Sequence, residues 1–212
     1  MIAIIDYDAG NLRSVEKALD ALGEQPVISR DEKTILSADK VILPGVGSFG
    51  DAMGKLRQYG LVEVIHHVAD QGTPFLGICL GLQLLFERSG ESEGVSGLGI
   101  LPGEIVRFPD TPGLKVPHMG WNCLDIRPDA KLFKGLASGE YVYFVHSYYL
   151  KAEKEEDVAA SSVYGVRFHA SVEHGNVFAC QFHPEKSSKW GLKILENFAA
   201  VGKDGNTEKE GK

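Results

Sequence analysis

The stretch PFLGICLGLQLLF (residues 74–86) joins a short apolar run to a segment with helical spacing, and a cysteine lies at the junction. Such a run is typical of a buried strand that turns directly into a helix. Gly77, Cys79 and Gly81 match the G-x-nucleophile-x-G elbow. This turn strains the backbone of the nucleophile and brings neighbouring backbone too close for a Cβ atom. The stretch therefore predicts a reactive thiol, with a buried structural cysteine as the alternative.

The first half of the sequence alternates apolar runs with amphipathic segments. The runs are apolar on both faces, as expected for a parallel sheet that helices cover on both sides. The amphipathic segments have helical spacing, as Leu12, Val15, Leu19 and Leu22 show before Gly23. These patterns predict an α/β fold with a mostly parallel central sheet. The predicted strands are 2–5, 25–29, 40–45 and 73–78, and the predicted helices are 11–23, 48–60, 61–72 and 80–89.

The second half has shorter runs, rich in aromatic and β-branched residues and separated by Gly, Asn or Pro. These runs predict antiparallel strands and hairpins added to the parallel sheet. They are 103–108, 121–126, 140–150, 158–165, 166–175 and 176–184. A final helix is predicted over 187–202, with Ser187 or Ser188 as its N-cap. No repeat or linker is visible, so we expect one domain over 1–202 and a poorly ordered polar tail over 203–212.

Composition and charge narrow the possible functions. The 212 residues are 43% hydrophobic and 24% charged, which is typical of a globular protein with a core of normal size. A net charge of −7 argues against general binding to nucleic acid or to anionic lipid. No run approaches the ~20 apolar residues of a membrane span, and the N-terminus lacks a signal-peptide pattern. The three cysteines, Cys79, Cys123 and Cys180, favour a reducing cytoplasm over a disulfide framework.

A cysteine nucleophile needs a base, and the base needs a group that orients it. His183 is the best candidate base, because QFHPE (181–185) places Glu185 on the same side of an extended chain. The carboxylate would hold the imidazole tautomer and support its positive charge. A solvated histidine and glutamate at the end of a strand is the alternative. Four other histidines are expected at the surface: His66, His67, His169 and His174.

The loop LPGVGSFG (43–50) follows a predicted strand, at the edge where parallel α/β sheets bind their ligands. Its N–H groups could bind a developing negative charge, together with the N–H of Leu80. The loop matches neither a P-loop nor G-x-G-x-x-G, so nucleotide binding has little support. A metal site also has little support, since Cys180 and His183 should face opposite ways on a strand and no C-x-x-C pair exists. We expect no cofactor.

Three segments, PGVG (44–47), GICLGLQ (77–83) and QFHPE (181–185), occur in this order at wide separations. Together they resemble the class I (triad) glutamine amidotransferases. The resemblance implies the flavodoxin-like α/β sandwich of that family, which agrees with the fold predicted above.

Further segments narrow the resemblance. DYDAGNLRSV (6–15), KVPHMGWN (115–122) and YFVHSYY (143–149) look like the glutaminase subunits of imidazole glycerol phosphate synthase, an enzyme of histidine biosynthesis. The resemblance covers essentially residues 1–200. One departure is Asp8, where members of the family often have glycine.

The resemblance implies a role for each part of the site. Cys79 would attack the side-chain amide of glutamine, His183 would carry the proton to the leaving ammonia, and Glu185 would orient His183. The N–H groups of Val46 and Leu80 would hold the oxyanion. The implied contacts to glutamine are Gly45, Gly47, Gln83, Glu91, Ser147 and Tyr148.

A partner is also implied, because ammonia that escapes into neutral water becomes ammonium and cannot attack an electrophile. The chain has no room for a second catalytic domain beside the glutaminase segments. In the resembled enzyme the partner is a (β/α)8-barrel cyclase, which forms a heterodimer with the glutaminase. The implied partner contacts are Asn11, His118, Trp121, Tyr143 and Lys186. Trp121 could instead be a core residue, and Lys186 a surface charge.

The resemblance implies regulation as well: the glutaminase alone is nearly silent, and the partner's ligand activates it. The glycines of PGVGSFG would let the Gly45–Val46 peptide turn its N–H towards or away from the oxyanion.

Three other interpretations stay open. The chain could be another glutaminase of the same class that serves a different synthase. It could be a cysteine hydrolase of the α/β-hydrolase kind, although that fold places its acid before the histidine, whereas Glu185 follows His183. It could also be a non-catalytic flavodoxin-like binding module.

Overall fold

The computed structural model describes residues 1–8 and 10–202, and the tail predicted at 203–212 lies outside this part of the chain. The strands are β1 Ile2–Ile5, β2 Pro26–Ser29, β3 Lys40–Leu43, β4 Phe75–Ile78, β5 Arg88–Ser89, β6 Gly103–Arg107, β7 His118–Cys123, β8 Asp125–Ile126, β9 Tyr141–His146, β10 Tyr148–Ala152, β11 Val158–Tyr164, β12 Val166–His174 and β13 Val177–Cys180. The helices are α1 Leu12–Ala21, α2 Glu32–Leu36, α3 Phe49–Gln58, α4 Leu61–Asp70, α5 Leu80–Leu84 and α6 Ser188–Ala200. Short 3-10 helices are Lys131–Phe133, Glu155–Asp157 and Pro184–Lys186.

One large sheet has the strand order β2-β1-β3-β4-β13-β12-β10-β6-β5, with β11 beside β12 and β8 beside β11. The strands from β2 to β13 run parallel, whereas those from β13 through β12 and β10 to β6 run antiparallel. Strand β13 therefore joins the two halves, because it pairs in parallel with β4 and forms a hairpin with β12. This arrangement confirms the predicted mostly parallel sheet with antiparallel additions.

The side chains of each parallel strand alternate between two apolar cores, one on each face of the sheet. In β1, Ile2 and Ile4 point to one core, Ala3 and Ile5 point to the other, and all four are buried. Helices α1 and α6 cover the first core, while α3, α4 and α5 cover the second. This double burial explains why these strands are apolar without alternation. None of the helices in the described part of the chain is long and apolar enough to cross a membrane.

Helix α5 is shorter than predicted, because it ends at Leu84 instead of continuing over 80–89. Beyond its end the backbone pairs with a later loop. The carbonyl oxygens of Leu84 and Leu85 accept hydrogen bonds from the N–H groups of Leu98 at 2.8 Å and Ile100 at 2.9 Å. Tertiary hydrogen bonds thus replace the helical ones, which overrides the local helical preference.

Two further elements differ from the sequence pattern. Helix α2 was not predicted, although the sequence has an aspartate, a residue type favoured at N-caps, just before it. In the structure the side chain of Asp31 accepts a hydrogen bond from the N–H of Thr34 at 2.9 Å. The predicted strand 140–150 is divided, because Ser147 separates β9 from β10 and these two strands belong to different sheets. The division matters for function, since Ser147 lies at the site described next.

Candidate active site

The carboxyl ends of β3, β4 and β13 meet at one edge of the sheet, where parallel α/β sheets bind ligands. The oxyanion loop (44–48) follows β3, Cys79 follows β4, and QFHPE (181–185) follows β13. A cavity of about 410 Å³ lies between these segments. The structure therefore brings together three segments that are far apart in the sequence. The predicted site residues that line the cavity are Val46, Gly47, Cys79, Leu80, Gln83, Glu91, Ser147, Tyr148 and His183.

The backbone at Cys79 is strained, with φ 54° and ψ −108°, a conformation that residues with a side chain rarely adopt. A Cβ on Gly81 would lie 1.8 Å from the carbonyl oxygen of Leu43, and one on Gly77 would lie 2.7 Å from that of Gly81. These distances confirm that both glycines allow a close approach of backbone. The N–H of Cys79 donates to the carbonyl oxygen of Cys180 at 2.8 Å, which ties the elbow to β13.

His183 and Glu185 form a buried pair. Nδ1 of His183 lies 2.8 Å from Oε1 of Glu185, and the side chains are 1% and 0% exposed. The contact arises from a 3-10 turn at Pro184–Lys186 and not from strand alternation, because β13 already ends at Cys180. The predicted neighbours thus meet for a different geometric reason. The N–H of His183 also donates to the carbonyl oxygen of Tyr143 at 2.9 Å, which anchors the turn to β9.

The charges around His183 favour its protonated form. Burial disfavours a positive charge on the ring, but the Cys79 sulfur and the Glu185 carboxylate together favour it more strongly, and the pKa of His183 is raised to about 10. Nε2 of His183 is buried and has no hydrogen-bond partner among the residues that the structure describes. Because Glu185 holds Nδ1, Nε2 is the nitrogen left to exchange a proton inside the cavity.

Asn11, which the resemblance assigned to a partner contact, makes a contact within the chain. Its Nδ2 donates to Oε1 of Glu185, the same oxygen that His183 contacts. Oε2 of Glu185 is buried and has no partner in the described part of the chain. Asn11 lies at the N-cap of α1 with φ 76°, so the loop between β1 and α1 reaches the buried pair.

The oxyanion loop turns a carbonyl group towards the elbow. The N–H of Leu80 donates to the carbonyl oxygen of Gly45 at 3.3 Å. Because the C=O and N–H of a trans peptide point in opposite directions, the N–H of Val46 points away from Leu80. The two N–H groups expected to hold an oxyanion are therefore not directed at a common point. The Tyr7 hydroxyl donates to the carbonyl oxygen of Pro44 at 2.8 Å, and burial raises the pKa of Tyr7, which keeps this donor protonated.

The amide of Gln83 has a fixed orientation in the cavity wall. Its Nε2 donates to the carbonyl oxygen of Tyr148 and to Oε1 of Gln181, both at 3.1 Å. Both N–H bonds of Nε2 are thus used, and Oε1 of Gln83 is left as an acceptor. Glu91 also lines the cavity, and its Oε2 accepts from the N–H of Phe49 at 2.7 Å, which ties Glu91 to the start of α3.

Three residues that line the cavity were not predicted from the sequence. Two of the missed residues belong to YFVHSYY, next to positions already expected to contact glutamine, so a signal for them was present. The third belongs to KVPHMGWN (115–122), one of the segments that carry the family resemblance, but no residue of that segment was expected to contact glutamine. These residues are Val145, His146 and Pro117. Within residues 1–8 and 10–202, no group of three His, Cys, Asp or Glu side chains could hold a metal ion.

The two-stranded sheet of β7 and β9 presents an aromatic face to solvent. Trp121 pairs in register with Tyr143, and Met119 pairs with Val145. Met119, Trp121 and Tyr141 are 62%, 51% and 55% exposed. We call Met119, Trp121, Tyr141 and Tyr143 the β7–β9 face. Large exposed apolar side chains gathered in this way are typical of a surface that binds another protein.

His118 points the opposite way along β7, into the core. It is 3% exposed, and its ring stacks between those of Phe144 and Tyr164 with centroid distances of 4.9 and 4.0 Å. The expected contact of His118 with a partner therefore needs correction, because alternation along the strand turns its ring away from the face that carries Trp121. Lys186, in contrast, is exposed.

His118 and His146 form a buried hydrogen-bonded pair. Nδ1 of His146 lies 2.8 Å from the carbonyl oxygen of Tyr148, which can only accept, so this nitrogen carries a hydrogen. Nε2 of His146 is then the acceptor for Nδ1–H of His118, at 2.9 Å. Burial lowers the pKa of His118 to about 4 and that of His146 to about 3, so both rings are neutral near pH 7.

We expect acid to destabilise the protein through this pair. At pH values above 6.5 both rings are neutral in the folded and the unfolded chain, and as the pH falls towards about 4 only the unfolded chain binds protons at them. The unfolding free energy should fall by about 1.4 kcal/mol per pH unit for each ring. His118→Phe keeps the ring stack but removes one of the two groups that bind a proton on unfolding. The pH dependence of the unfolding free energy should therefore be smaller by about 1.4 kcal/mol per pH unit. Urea unfolding at several pH values measures this change. His67→Phe on the surface of α4 is the control, and an unchanged slope in His118→Phe would contradict the account.

The fold and the site point to the triad amidotransferases, which combine an elbow cysteine with a histidine and a carboxylate on an α/β sheet. The family model described as "Glutamine amidotransferase class-I" matches residues 3–201. The chain belongs to the class I glutamine amidotransferase family. A crystal structure of a glutamine amidotransferase is similar, with 21% identity, a TM-score of 0.73 and coverage of 94% of this chain and 100% of the other. The structure of PurLQS from Thermotoga maritima also has a TM-score of 0.73, at 22% identity over 93% of this chain and 96% of that one, and both support the fold.

Closer relatives match in sequence. The chain is 54% identical over 200 residues to the imidazole glycerol phosphate synthase subunit HisH of Moorella thermoacetica, with 94% of each chain covered. It is 50% identical over 201 residues to the HisH subunit of Methanocaldococcus jannaschii, with 95% of this chain and 100% of the relative covered. The resemblance inferred from short segments is therefore confirmed along nearly the whole chain.

Proposed function

We propose that the chain is the glutaminase subunit of an imidazole glycerol phosphate synthase. It would hydrolyse L-glutamine to glutamate and ammonia, and a cyclase subunit would use the ammonia. The observation that carries the glutaminase reaction is the strained Cys79 elbow, which shares one cavity with His183, whose ring is held from behind by the buried Glu185. The identity to two HisH subunits supports the choice of this synthase over others of the class.

In the proposed reaction, the sulfur of Cys79 attacks the amide carbon of glutamine to form a thioester, and the C–N bond breaks. Nε2 of His183, which takes the thiol proton before the attack, gives this proton to the leaving nitrogen, which departs as ammonia. Water then attacks the thioester, and His183 transfers a proton from this water to the sulfur, so glutamate leaves and the thiol is restored. Glu185 holds Nδ1 of His183 and supports the positive charge of the ring.

The proposed glutamine site provides acceptors at one end. Oε1 of Gln83 suits the α-ammonium group of the substrate, because the NH2 group of Gln83 is already engaged. The carboxylate of Glu91, anchored at α3, adds negative charge to the same cavity. The remaining proposed contacts are made by Gly45, Gly47, Ser147 and Tyr148.

The Gly45–Val46 peptide is the proposed control point. Its carbonyl oxygen accepts a hydrogen bond from the N–H of Leu80, so this N–H is not available to an oxyanion. A half-turn of the peptide would free this N–H and direct the N–H of Val46 towards the same point, which would form the oxyanion site. Position 45 needs glycine, because a Cβ there would lie 2.3 Å from the Tyr7 hydroxyl oxygen. We therefore expect a nearly silent isolated chain that the partner and its ligand activate.

The β7–β9 face is the proposed docking surface for a (β/α)8-barrel cyclase in a heterodimer. The face is exposed, yet the backbone of Tyr143 on β9 is bonded to the segment that carries the base. Its carbonyl oxygen accepts from the N–H of His183 at 2.9 Å, and its N–H donates to the hydroxyl oxygen of Ser187 at 2.9 Å. A partner that contacts the Tyr143 side chain would thus touch a residue whose backbone is hydrogen-bonded to the proposed base, His183. Lys186 and Asn11, which are exposed and partly exposed, stay candidates for the edge of this contact.

Truncation of Trp121 should weaken the complex. A half-exposed tryptophan at the centre of an aromatic face is a typical interface hot spot, so Trp121→Ala should raise the Kd for the cyclase by roughly 30-fold, or about 2 kcal/mol. Isothermal titration with purified cyclase measures this change. Val27→Ala, at an exposed apolar residue on the far edge strand β2, is the control and should leave Kd unchanged. An unchanged Kd in Trp121→Ala would move the docking surface elsewhere.

The cytoplasm is the proposed compartment, and the presence of three cysteines as free thiols supports it.

A coupled assay tests the proposed function. The chain is mixed with an imidazole glycerol phosphate synthase cyclase, and product formation is followed with glutamine or with an ammonium salt as nitrogen donor. We expect the chain to make glutamine an effective donor and the cyclase ligand to raise its glutaminase rate. If only the synthase subunit of another pathway activates the chain, the chain is a glutaminase of that other synthase. Full glutaminase activity without any partner would refute the proposed activation by the cyclase.

A further inference from the structure

Gln181 occupies the position between the end of β13 and the buried base, and its side chain is directed at the thiol. The residue is 0% exposed. Its Nε2 donates a hydrogen bond to the sulfur of Cys79 at 3.8 Å. We propose that Gln181 is a positioning residue that holds the Cys79 sulfur and stabilises its thiolate form. This inference rests on the proposed function, because it adds a role within the same site.

The direction of the Gln181 amide is set by its neighbours. The carbonyl oxygen of Tyr148 can only accept, and it receives hydrogen bonds from Nδ1 of His146 at 2.8 Å and from Nε2 of Gln83 at 3.1 Å. The second N–H of Gln83 therefore goes to Oε1 of Gln181, also at 3.1 Å. With its oxygen held in this way, Gln181 must turn its NH2 group towards the sulfur of Cys79.

The backbone fixes the distance between the two side chains. The N–H of Gln181 donates to the carbonyl oxygen of Ala170 on β12 at 2.8 Å, and the N–H of Cys79 donates to the carbonyl oxygen of Cys180 at 2.8 Å. Gln181 follows Cys180 in the chain and Cys79 is hydrogen-bonded to Cys180, so the residues that carry the amide and the sulfur are both fixed at the end of β13. This attachment leaves the amide little freedom to move away from the sulfur.

The chemistry follows from the donor. A neutral N–H stabilises a thiolate more than a thiol, because the negative sulfur is the better acceptor. Gln181 also adds no charge, so it does not compete with the electrostatic attraction between Cys79 and His183. QFHPE therefore acts on the sulfur in two ways, through the hydrogen bond from the neutral amide of Gln181 and through the positive charge favoured on the ring of His183.

Alkylation of the thiol tests this inference without glutamine turnover. The full chain is treated with iodoacetamide over a range of pH values, and the rate at Cys79 is followed by peptide mass spectrometry. Gln181→Met keeps the length of the side chain and removes the donor. We expect the rise in the alkylation rate of Cys79 to move to higher pH by roughly one unit.

Ser171→Ala is the matched control, because it removes another buried hydrogen bond beside β13, from the Ser171 hydroxyl to the carbonyl oxygen of Ala179, without reaching the sulfur. Its alkylation profile should match that of the unmodified sequence. A wild-type profile in Gln181→Met, or an equal displacement in Ser171→Ala, would overturn the inference. If circular dichroism shows that Gln181→Met does not fold, Gln181→Leu, which also removes the donor without adding a charge, takes its place, with the same two outcomes.

The two proposals fail separately. A displaced profile in Gln181→Met together with no glutamine-dependent synthesis in the coupled assay would refute the proposed function and leave the contact with the sulfur intact. Glutamine-dependent synthesis together with an unchanged profile would refute only the role of Gln181.

Discussion

Replacement of Cys79 by alanine should abolish glutamine-dependent synthesis and leave ammonium-dependent synthesis intact. Without the sulfur no thioester forms, and no other nucleophile is expected to replace it, so the glutamine-dependent rate should fall by roughly four orders of magnitude or more. The cyclase keeps its own site and still accepts ammonia from solution. The measurement is the coupled assay with each nitrogen donor in turn, in the presence of the cyclase and its ligand.

Cys180→Ala is the control for the loss of a thiol. Cys180 lies on the neighbouring strand β13, is buried and does not line the cavity. Its Sγ donates to the carbonyl oxygen of Phe182, at 3.6 Å. This variant should retain glutamine-dependent synthesis, whereas its inactivation together with an active Cys79→Ala would move the nucleophile away from the elbow.

Gly81→Ala should strongly destabilise the whole protein. The added Cβ would lie 1.8 Å from the carbonyl oxygen of Leu43, so either β3 or α5 must move. Neither can move easily, because both belong to the buried part of the sheet and its cover. We expect a loss of roughly 3–5 kcal/mol in the unfolding free energy, as measured by urea unfolding.

Gly54→Ala is the matched control for this prediction. Gly54 lies inside helix α3, and nothing lies within 4 Å of the position where its Cβ would be. This substitution should stabilise the protein by about 1 kcal/mol, because alanine favours a helix interior more than glycine does. Similar effects of the two substitutions would mean that the elbow is not packed as described.

Local spacing was enough to predict the parts of the site that one segment builds alone. Gly77 and Gly81 around Cys79 predicted the elbow, because the clash that excludes a Cβ is a property of the turn itself. The pairing of His183 with Glu185 was also expected, although the cause is a 3-10 turn and not an extended strand. The parallel strands were visible because burial on both faces leaves them apolar throughout.

Contacts between distant segments could not be predicted in this way. Asn11 meets Glu185 across 174 positions and Gln83 meets Gln181 across 98, and neither pair has a pattern that a single sequence reveals. Each of these side chains is polar and would be equally compatible with a solvent-exposed position. The burial of His118 could not be predicted either. Alternation along β7 separates the residues into two faces, but only the packing of the β7–β9 sheet against the rest of the protein decides which face is buried.

Covalent labelling with a glutamine analogue that carries an electrophilic carbon in place of the amide tests whether Cys79 is the nucleophile. The chain is incubated with the analogue in the presence of the cyclase and its ligand, and the adducts are mapped by peptide mass spectrometry. We expect one adduct, on Cys79, that excess glutamine prevents. An adduct on Cys123 or Cys180 at a comparable rate, or no adduct at all, would contradict this expectation.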